Sequence, residues 1–289
     1  MQLFFPFTSS MRVFVVTHIL LFACLTTSAQ TLKFSYLFEY KTDLAKGWNR
    51  DLSLCVEVDS LGVLCYSENE YLRDSIGYTI MDAGLGHYVA HDEKKRFPYG
   101  VQWSIFGNPS TGKFTLYDYH ITLNFTAEDY YQAPQWEISE DTEEICGYFC
   151  RKAVSKYYGR LWTVWYAEEI PVGSGPWLLW GAPGMILKAE DSQMLFRFTC
   201  ESVLVTDLNR RSPVLSYMAR RCSDSAAIIM TGSMKEVEAL RTRYNRDVHA
   251  YYDIMGFQIR GFDADGKPIE LPKYRPYIPL IPDEYWENL

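Results

Sequence analysis

The stretch "GPWLLWGAPGMILKAED", residues 175–191, holds three glycines and two prolines among tryptophan and aliphatic side chains. Glycine and proline at this density are typical of a turn, and the run that begins at Met185 is typical of a buried strand. None of the turn side chains can act as nucleophile, acid, base or metal ligand. The sequence therefore predicts a structural corner that redirects the chain into a sheet, built on Gly175, Pro176, Gly181, Pro183 and Gly184.

The segments before and after this corner alternate in the manner of strands. Leu32, Phe34, Tyr36, Phe38 and Tyr40 share one parity, as do Leu52, Leu54, Val56 and Val58. "KFTLYDYHITLNF" and "GRLWTVWYAEEI" are rich in β-branched and aromatic residues, and residues 185–205 read as a hairpin closed near Glu190. Because no helical pattern separates these strands, an antiparallel sheet is expected. Residues 67–110 show a less regular pattern.

Two different signals mark the C-terminal third. Ser233 and Glu236 form a capping-box pattern, and apolar residues then recur at helical spacing, which predicts a helix over about 233–255 packed on the sheet. Residues 268–289 hold five of the thirteen prolines and predict an extended strap. The expected organisation is a signal peptide at 1–29, one β-rich domain at 30–267 and this proline-rich strap.

The N-terminus has the features of an export signal. Arg12 precedes an apolar run, and Thr27 and Ala29 occupy the −3 and −1 positions of a cut before Gln30. Cys24 follows Leu-Phe-Ala and would carry a lipid if the chain were a lipoprotein. The chain is therefore expected to be exported to the periplasm, the outer membrane or beyond, without a transmembrane span in its mature form.

The composition disfavours some partners. The full chain has a formal net charge of −8. Because affinity for nucleic acid rests on basic residues that neutralise phosphates, no nucleic-acid partner is expected. An envelope protein or a glycan is the expected partner.

Six cysteines follow Cys24, an even number that predicts disulfides in an oxidising compartment. "DLSLCVEVDSLGVLCYS" reads as two strands around a turn, which would set Cys55 opposite Cys65 and favour a bond between them. Cys146 and Cys150 would lie too far apart on a strand to bond each other. They are expected to pair with Cys200 and Cys222 or to stay free.

Several stretches mimic functional motifs. "GNPSTGKF", residues 107–114, lacks the Ser/Thr and the helix of a nucleotide-binding loop, so a hairpin turn is expected. His87 and His91 are interpreted as loop residues rather than metal ligands, because glycines surround them. No catalytic residue, cofactor or metal site is predicted. Four tryptophans admit two interpretations, a ligand platform or the core of the sheet: Trp162, Trp165, Trp177 and Trp180.

An ordered series of motifs from about 130 to 198 resembles the GLPGLI family of exported Bacteroidetes proteins. It comprises "ICGYFCRKA" from Ile145, "GRLWTVWY" from Gly159, the Ile170-Pro171 turn and "GAPGMI" at 181–186. Ala182 and Met185 stand where the family signature has leucines. A related bowl-shaped domain of a bacterial peptide:N-glycosidase implies a mainly β fold, a curved antiparallel sheet like a bowl or half-barrel with a packed C-terminal helix.

The family has no established activity, so the resemblance implies work at the cell envelope without defining it. The first hypothesis is a non-enzymatic module that binds a partner or ligand or has a structural role. The alternative is a hydrolase-like enzyme that acts on glycan or peptide with carboxylates gathered by the fold. A cleft with two converging carboxyl groups would favour the enzyme, and an aromatic concavity would favour binding.

Overall fold

The computed structural model describes residues 31–120, 123–130, 132–207, 211–223, 228–254, 256, 261–262, 267–270 and 272–287. The predicted signal peptide, including Cys24, lies outside the described residues. Over the described ranges the strands are β1 Thr31–Tyr40, β2 Asn49–Asp59, β3 Gly62–Ser67, β4 Trp103–Asn108, β5 Lys113–His120, β6 Leu123–Tyr130, β7 Glu137–Ile145, β8 Tyr148–Tyr157, β9 Arg160–Ala167, β10 Met185–Asp191, β11 Phe196–Thr206, β12 Ile228–Gly232, β13 Gly261–Phe262 and β14 Pro268–Ile269. The helices in those ranges are α1 Glu68–Asp82, α2 His87–Lys94, α3 Arg211–Ser223, α4 Met234–Arg246, α5 Val248–Ile254 and α6 Asp283–Glu287.

One large sheet organises the chain. Its strand order is β12-β6-β5-β4-β3-β2-β1-β11-β10-β9-β8-β7, and its two edge strands do not pair with each other. The strands from β1 to β11 pair antiparallel, and β12 pairs in parallel with β6 and so forms one edge of the sheet. The fold is therefore mainly β, with a curved antiparallel sheet and a packed C-terminal helix, as predicted.

The predicted alternation along β1 places one face of the sheet in the main core. Phe34, Tyr36 and Phe38 are buried there, and Phe34 and Tyr36 pair with Val56 and Leu54 of β2. The prediction for Leu52 is wrong, because this side chain is 67% exposed. The pairing of β1 with β2 is irregular between Tyr36 and Phe38, and such an irregularity reverses the face that a following side chain occupies.

The opposite face of the sheet carries a second, smaller core. Helices α1 and α3 cover Cys55, Leu64 and Tyr66 there, and Val214 and Met218 of α3 complete the cluster. Neither helix was predicted. Their apolar periodicity is weak, since α1 buries charged residues and contains Gly77, so the sequence carries little helical signal in this region.

The predicted C-terminal helix is present but divided. Ser233 caps α4 in a capping box with Glu236, as predicted. The expected single helix over 233–255 is wrong, because Asp247 has an extended backbone (φ −150°, ψ 93°) between α4 and α5. Its carboxylate accepts from the backbone N–H of Ala250 in the first turn of α5, and this local bond starts a new helix.

The loop prediction for the segment with His87 and His91 is also wrong. It forms helix α2 rather than a loop, with Gly86 as its N-cap residue at φ 84°. The glycines therefore precede the helix instead of interrupting it. In the described part of the chain, no three His, Cys, Asp or Glu residues are grouped as a metal site would require.

The proline-rich tail is extended over 272–282 but is not confined to the surface. Leu280 and Ile281 are buried in the main core, and α6 follows them. Arg160 of β9 holds this segment, because its guanidinium donates to the carbonyl oxygens of Leu280 at 2.8 Å and Pro279 at 2.6 Å. The tail is thereby fixed across the core face of the sheet.

Candidate functional site

The corner at 173–186 is an inserted loop between β9 and β10. Its neck is closed by two backbone hydrogen bonds, from Gly181 N–H to Gly173 oxygen at 2.9 Å and from Ile186 N–H to Ser174 oxygen at 2.8 Å. Strand β10 begins at Met185, directly after the turn. The loop projects Trp177, Leu178 and Leu179 into the main core.

Two positions of this corner require glycine for steric reasons. Gly181 adopts φ +79°, a conformation that L side chains rarely adopt. A Cβ on Gly184 would lie 2.0 Å from the carbonyl oxygen of Ala167, which is backbone and cannot move aside. The corner thus depends on missing side chains. Its turn at 181–186 contains no nucleophile, acid, base or metal ligand, and the hydroxyl-bearing Ser174 at its neck is buried.

Three of the four tryptophans considered as a ligand platform lie in the core. Trp162, Trp177 and Trp180 are buried, and the rings of Trp162 and Trp177 are 5.7 Å apart. Trp165 points to the other face of β9, where the Lys188 ammonium lies 4.3 Å from its ring centroid. Of the two interpretations, the core one therefore holds for these three side chains. The four tryptophans do not form one platform, because Trp162 and Trp165 differ in parity and Trp177 and Trp180 of the corner are buried.

The predicted bond between Cys55 and Cys65 is absent, and both are free thiols. The turn between β2 and β3 is two residues long, so Cys55 faces Tyr66 and Val56 faces Cys65. This register differs by one residue from the one expected, and it places the two thiols on opposite faces of the sheet. Cys146, Cys150 and Cys200 are also free. The side chain of Cys222 lies outside the described ones.

A cavity of about 320 Å³ lies between the sheet, α4 and the tail. Phe38, Trp103 and Phe196 are buried in its wall on the sheet side, while Tyr99 is 70% exposed at its mouth. Tyr40 and Tyr277 complete the aromatic lining. The volume is at the lower end of the range for ligand sites, which is about 300 to 1,000 Å³.

A buried ionic cluster forms the polar end of this cavity. Arg241 of α4 lies with its Nε 2.5 Å from Asp118 Oδ2 and donates from Nη1 to Glu238 Oε1 at 3.1 Å. Tyr277 of the tail donates its hydroxyl to Glu238 Oε2 at 2.9 Å. The cluster therefore connects the sheet, the helix and the tail through Asp118 and Glu238, which are buried, and through Arg241 and Tyr277, which are partly buried.

The electrostatics of the cluster follow from burial and pairing. Burial by itself lowers the pKa of Arg241, but Asp118 is the main cause of a net pKa well above the ordinary value. Burial raises the pKa of Glu238, and Arg241 partly offsets that effect. Arg241 therefore stays charged at every accessible pH and holds both carboxylates in place.

Asp118 is the one carboxylate among the cavity-lining residues in the described part of the chain. Because the guanidinium of Arg241 occupies it, two free carboxyl groups do not converge on this space. Asn245, Gln102 and Thr42 supply neutral polar groups at other points of the lining. The arrangement suits recognition by contact and hydrogen bonding.

The sequence patterns did not identify this cavity. Its walls come from strand ends, the loop at 99–102, α4 and the tail, and these segments meet only through long-range packing. The one local signal was the spacing of Glu238 and Arg241 at i and i+3 on a predicted helix, which is usually interpreted as a solvent-exposed ion pair.

Comparisons with known proteins give limited matches. No family model and no curated protein matches the chain. Among solved structures, PNGF-II in space group P21 is similar, with 16% identity, a TM-score of 0.47 and coverage of 75% of this chain and 34% of that chain. PNGF-II in space group C2 has 15% identity, a TM-score of 0.46 and the same coverage. This chain thus spans about a third of the structures it matches.

Over the described ranges, no helix is both long enough and apolar enough to span a lipid bilayer.

Proposed function

We propose that this chain is an exported member of the GLPGLI family that works at the cell envelope as a non-catalytic binding module. The cavity beneath α4 and the tail is the binding site in this proposal. Its ligand is a small, neutral glycan fragment. The corner that carries the family signature supports the sheet and takes no part in binding.

The aromatic lining of the cavity is the observation that carries the proposal. Aromatic faces such as those of Trp103 and Tyr99 pack against the apolar face of a sugar ring, while neutral amides and hydroxyls bond with its polar edge. Thr42, Gln102 and Asn245 supply such groups. A charged ligand would gain less binding free energy, because the ionic groups of the cluster are already paired with one another.

The geometry favours binding over hydrolysis. A glycan hydrolase of the common type requires two carboxyl groups placed on either side of the scissile bond. In this cavity Asp118 is paired with Arg241, and Glu238 is held by Arg241 and Tyr277. The ordinary roles of general acid and general base would require these ion pairs to break.

Titration calorimetry with neutral sugars tests the proposal. The panel contains N-acetylglucosamine, its β-1,4-linked dimer and cellobiose. Intrinsic tryptophan fluorescence of the unmodified chain, to which Trp103 in the lining contributes, gives a second readout. Thr42→Trp should abolish binding, because the larger ring fills the cavity from its lining. Leu44→Trp is the matched control, since Leu44 is 72% exposed and lies outside the lining.

These measurements test the binding site and the absence of catalysis separately. Binding that Thr42→Trp removes and Leu44→Trp preserves supports the site. Failure of every sugar in the panel, or equal binding by both variants, would contradict it. Mass spectrometry of the incubated sugars is the check on catalysis, since a cleaved product would establish the hydrolase alternative.

A further inference from the structure

The tip of the β7–β8 hairpin reaches across the sheet to β11. The tip is the two-residue turn of Cys146 and Gly147, between the paired residues Ile145 and Tyr148. Strand β8 is separated from β11 by β9 and β10. Even so, the Cys146 thiol donates to the carbonyl oxygen of Cys200 at 3.2 Å. The sheet therefore curls enough at this edge to bring the two cysteines together.

The two side chains are also neighbours. Burial is the main cause of a raised pKa at Cys200, and the nearby Cys146 side chain adds to it. The Cys200 thiol itself donates to the carbonyl oxygen of Ser202 at 3.4 Å. Cys146 is exposed, whereas Cys200 is 4% exposed. The Cys146 thiol can thus be reached from solvent, whereas its neighbour, the Cys200 thiol, cannot.

The backbone at the tip is unusual for a cysteine. Cys146 has φ +52° and Gly147 has φ +80°, which is the pattern of a type I′ hairpin turn. Asparagine, aspartate and glycine are the residues that favour such positions, and a cysteine there is strained. In this conformation the Cys146 thiol lies beside Cys200 while it stays exposed to solvent.

We propose that Cys146 and Cys200 form a disulfide on exposure to a disulfide oxidant, and that the bond staples the edge hairpin to the centre of the sheet. The Cys146 thiolate attacks one sulfur of the oxidant, forms a mixed disulfide and expels the first thiolate. The Cys200 sulfur, after losing its proton, attacks the Cys146 sulfur and expels the second. The oxidant is reduced to two thiols, and the protein loses two electrons and two protons.

The neighbouring Cys150 is the competitor for this reaction. It is buried in β8, and its thiol donates to the carbonyl oxygen of Tyr148 at 3.5 Å. Burial raises the pKa of Cys150 and of Cys200 alike, so thiolate content does not distinguish them as partners of Cys146. Position does, because the Cys146 thiol lies 3.2 Å from the carbonyl oxygen of Cys200. The strand also directs Cys150 away from solvent, so the oxidant meets Cys146 first.

The test oxidises the full-length protein with glutathione disulfide, followed by alkylation and peptide mapping by mass spectrometry. A peptide linking residues 146 and 200 is the expected product. The oxidised protein should melt about 5 to 10 °C above the reduced one, because the bond closes a long loop in the unfolded chain. Cys146→Ser should lose this difference, whereas Cys150→Ser should keep it.

Other products would overturn the proposal. A bond between Cys146 and Cys150, a bond from Cys200 to Cys222, or no bond at equilibrium would each exclude the staple. Because the products are identified by mass, a melting shift from another cause cannot imitate the expected result. The measurement uses no sugar, so it succeeds or fails separately from the proposed binding function.

Discussion

The corner at 173–186 and the cavity beneath α4 both lie on the core face of the sheet, but they are built in opposite ways. The corner is closed by backbone hydrogen bonds and close approaches at glycine, with no charged side chain in its turn. The cavity is closed by an ionic cluster and an extended tail around open space. The difference indicates that one region fixes shape, and that the other keeps the room and polarity a ligand needs.

Gly184→Ala is the change with the largest expected effect. The added Cβ would meet the carbonyl oxygen of Ala167 at 2.0 Å, and both partners are backbone. We expect a loss of more than about 4 kcal/mol in the free energy of unfolding, measured by urea denaturation. Gly47→Ala is the control, since its added Cβ meets nothing within 4 Å. Equal stability of the two variants would contradict the role assigned to the corner.

Arg241→Met has the next largest expected effect on stability, and it tests the ionic cluster at the polar end of the cavity. It leaves Asp118 and Glu238 buried without their cation, which costs about 3 to 5 kcal/mol. Adding Asp118→Asn and Glu238→Gln to the same chain should recover part of this loss, because no uncompensated charge then stays buried. If the triple variant is no more stable than Arg241→Met by urea denaturation, the cluster does not act through charge.

The free energy of unfolding measured as a function of alkaline pH tests the contact between the corner and the sheet. The Cys65 thiol accepts from the Trp177 backbone N–H at 3.5 Å, and burial raises its pKa from 9.0 to about 12. The unfolded chain therefore loses this proton first as pH rises. Cys65 alone should lower the free energy of unfolding by about 1.4 kcal/mol per pH unit between 9 and 12, in addition to the contributions of the other buried thiols, and should contribute no pH dependence below pH 9.

Cys65→Ala is the companion measurement for that titration. Under reducing conditions its stability should fall less steeply with pH than that of the unmodified chain, by the contribution of one thiol. Parallel curves for the two proteins would show that Cys65 does not keep its proton in the folded state.

Tyr99→Ala should have the smallest effect on stability. Tyr99 stands at the cavity mouth with the Arg73 guanidinium 3.8 Å from its ring centroid, a contact worth about 0.5 to 1 kcal/mol at an exposed site. Sugar affinity measured by calorimetry should fall about tenfold. Tyr274→Ala is the matched control, because Tyr274 is exposed and lies outside the lining. Loss of affinity in both variants would place binding elsewhere.

Local patterns in the sequence predicted the parts of the fold that depend on local physics. The alternation along β1, the hairpin turn at 109–112 and the capping box at Ser233 are all present. The parity rule also separated Trp162 from Trp165 correctly. Each of these depends on residues close in sequence, whose periodicity reflects which side is buried.

The errors and omissions concern distances that a pattern does not encode. A one-residue difference in register moved Cys55 and Cys65 to opposite faces, and a local bond at Asp247 divided a helix. The cavity could not be predicted, because Asp118, Arg241 and Tyr277 become neighbours only when the sheet, the helix and the tail have packed. The i, i+3 spacing of Glu238 and Arg241 is ordinarily that of a surface ion pair, and here packing buries the two residues in a charged cluster.

Hydrogen exchange of the full-length protein, with and without the tightest-binding sugar of the panel, tests whether the ligand binds in the cavity while the corner only fixes shape. We expect slower amide exchange on sugar addition at 99–103, 241–245 and 276–280, with no change at 173–186. Slower exchange at the corner, with the cavity walls unaffected, would contradict this expectation.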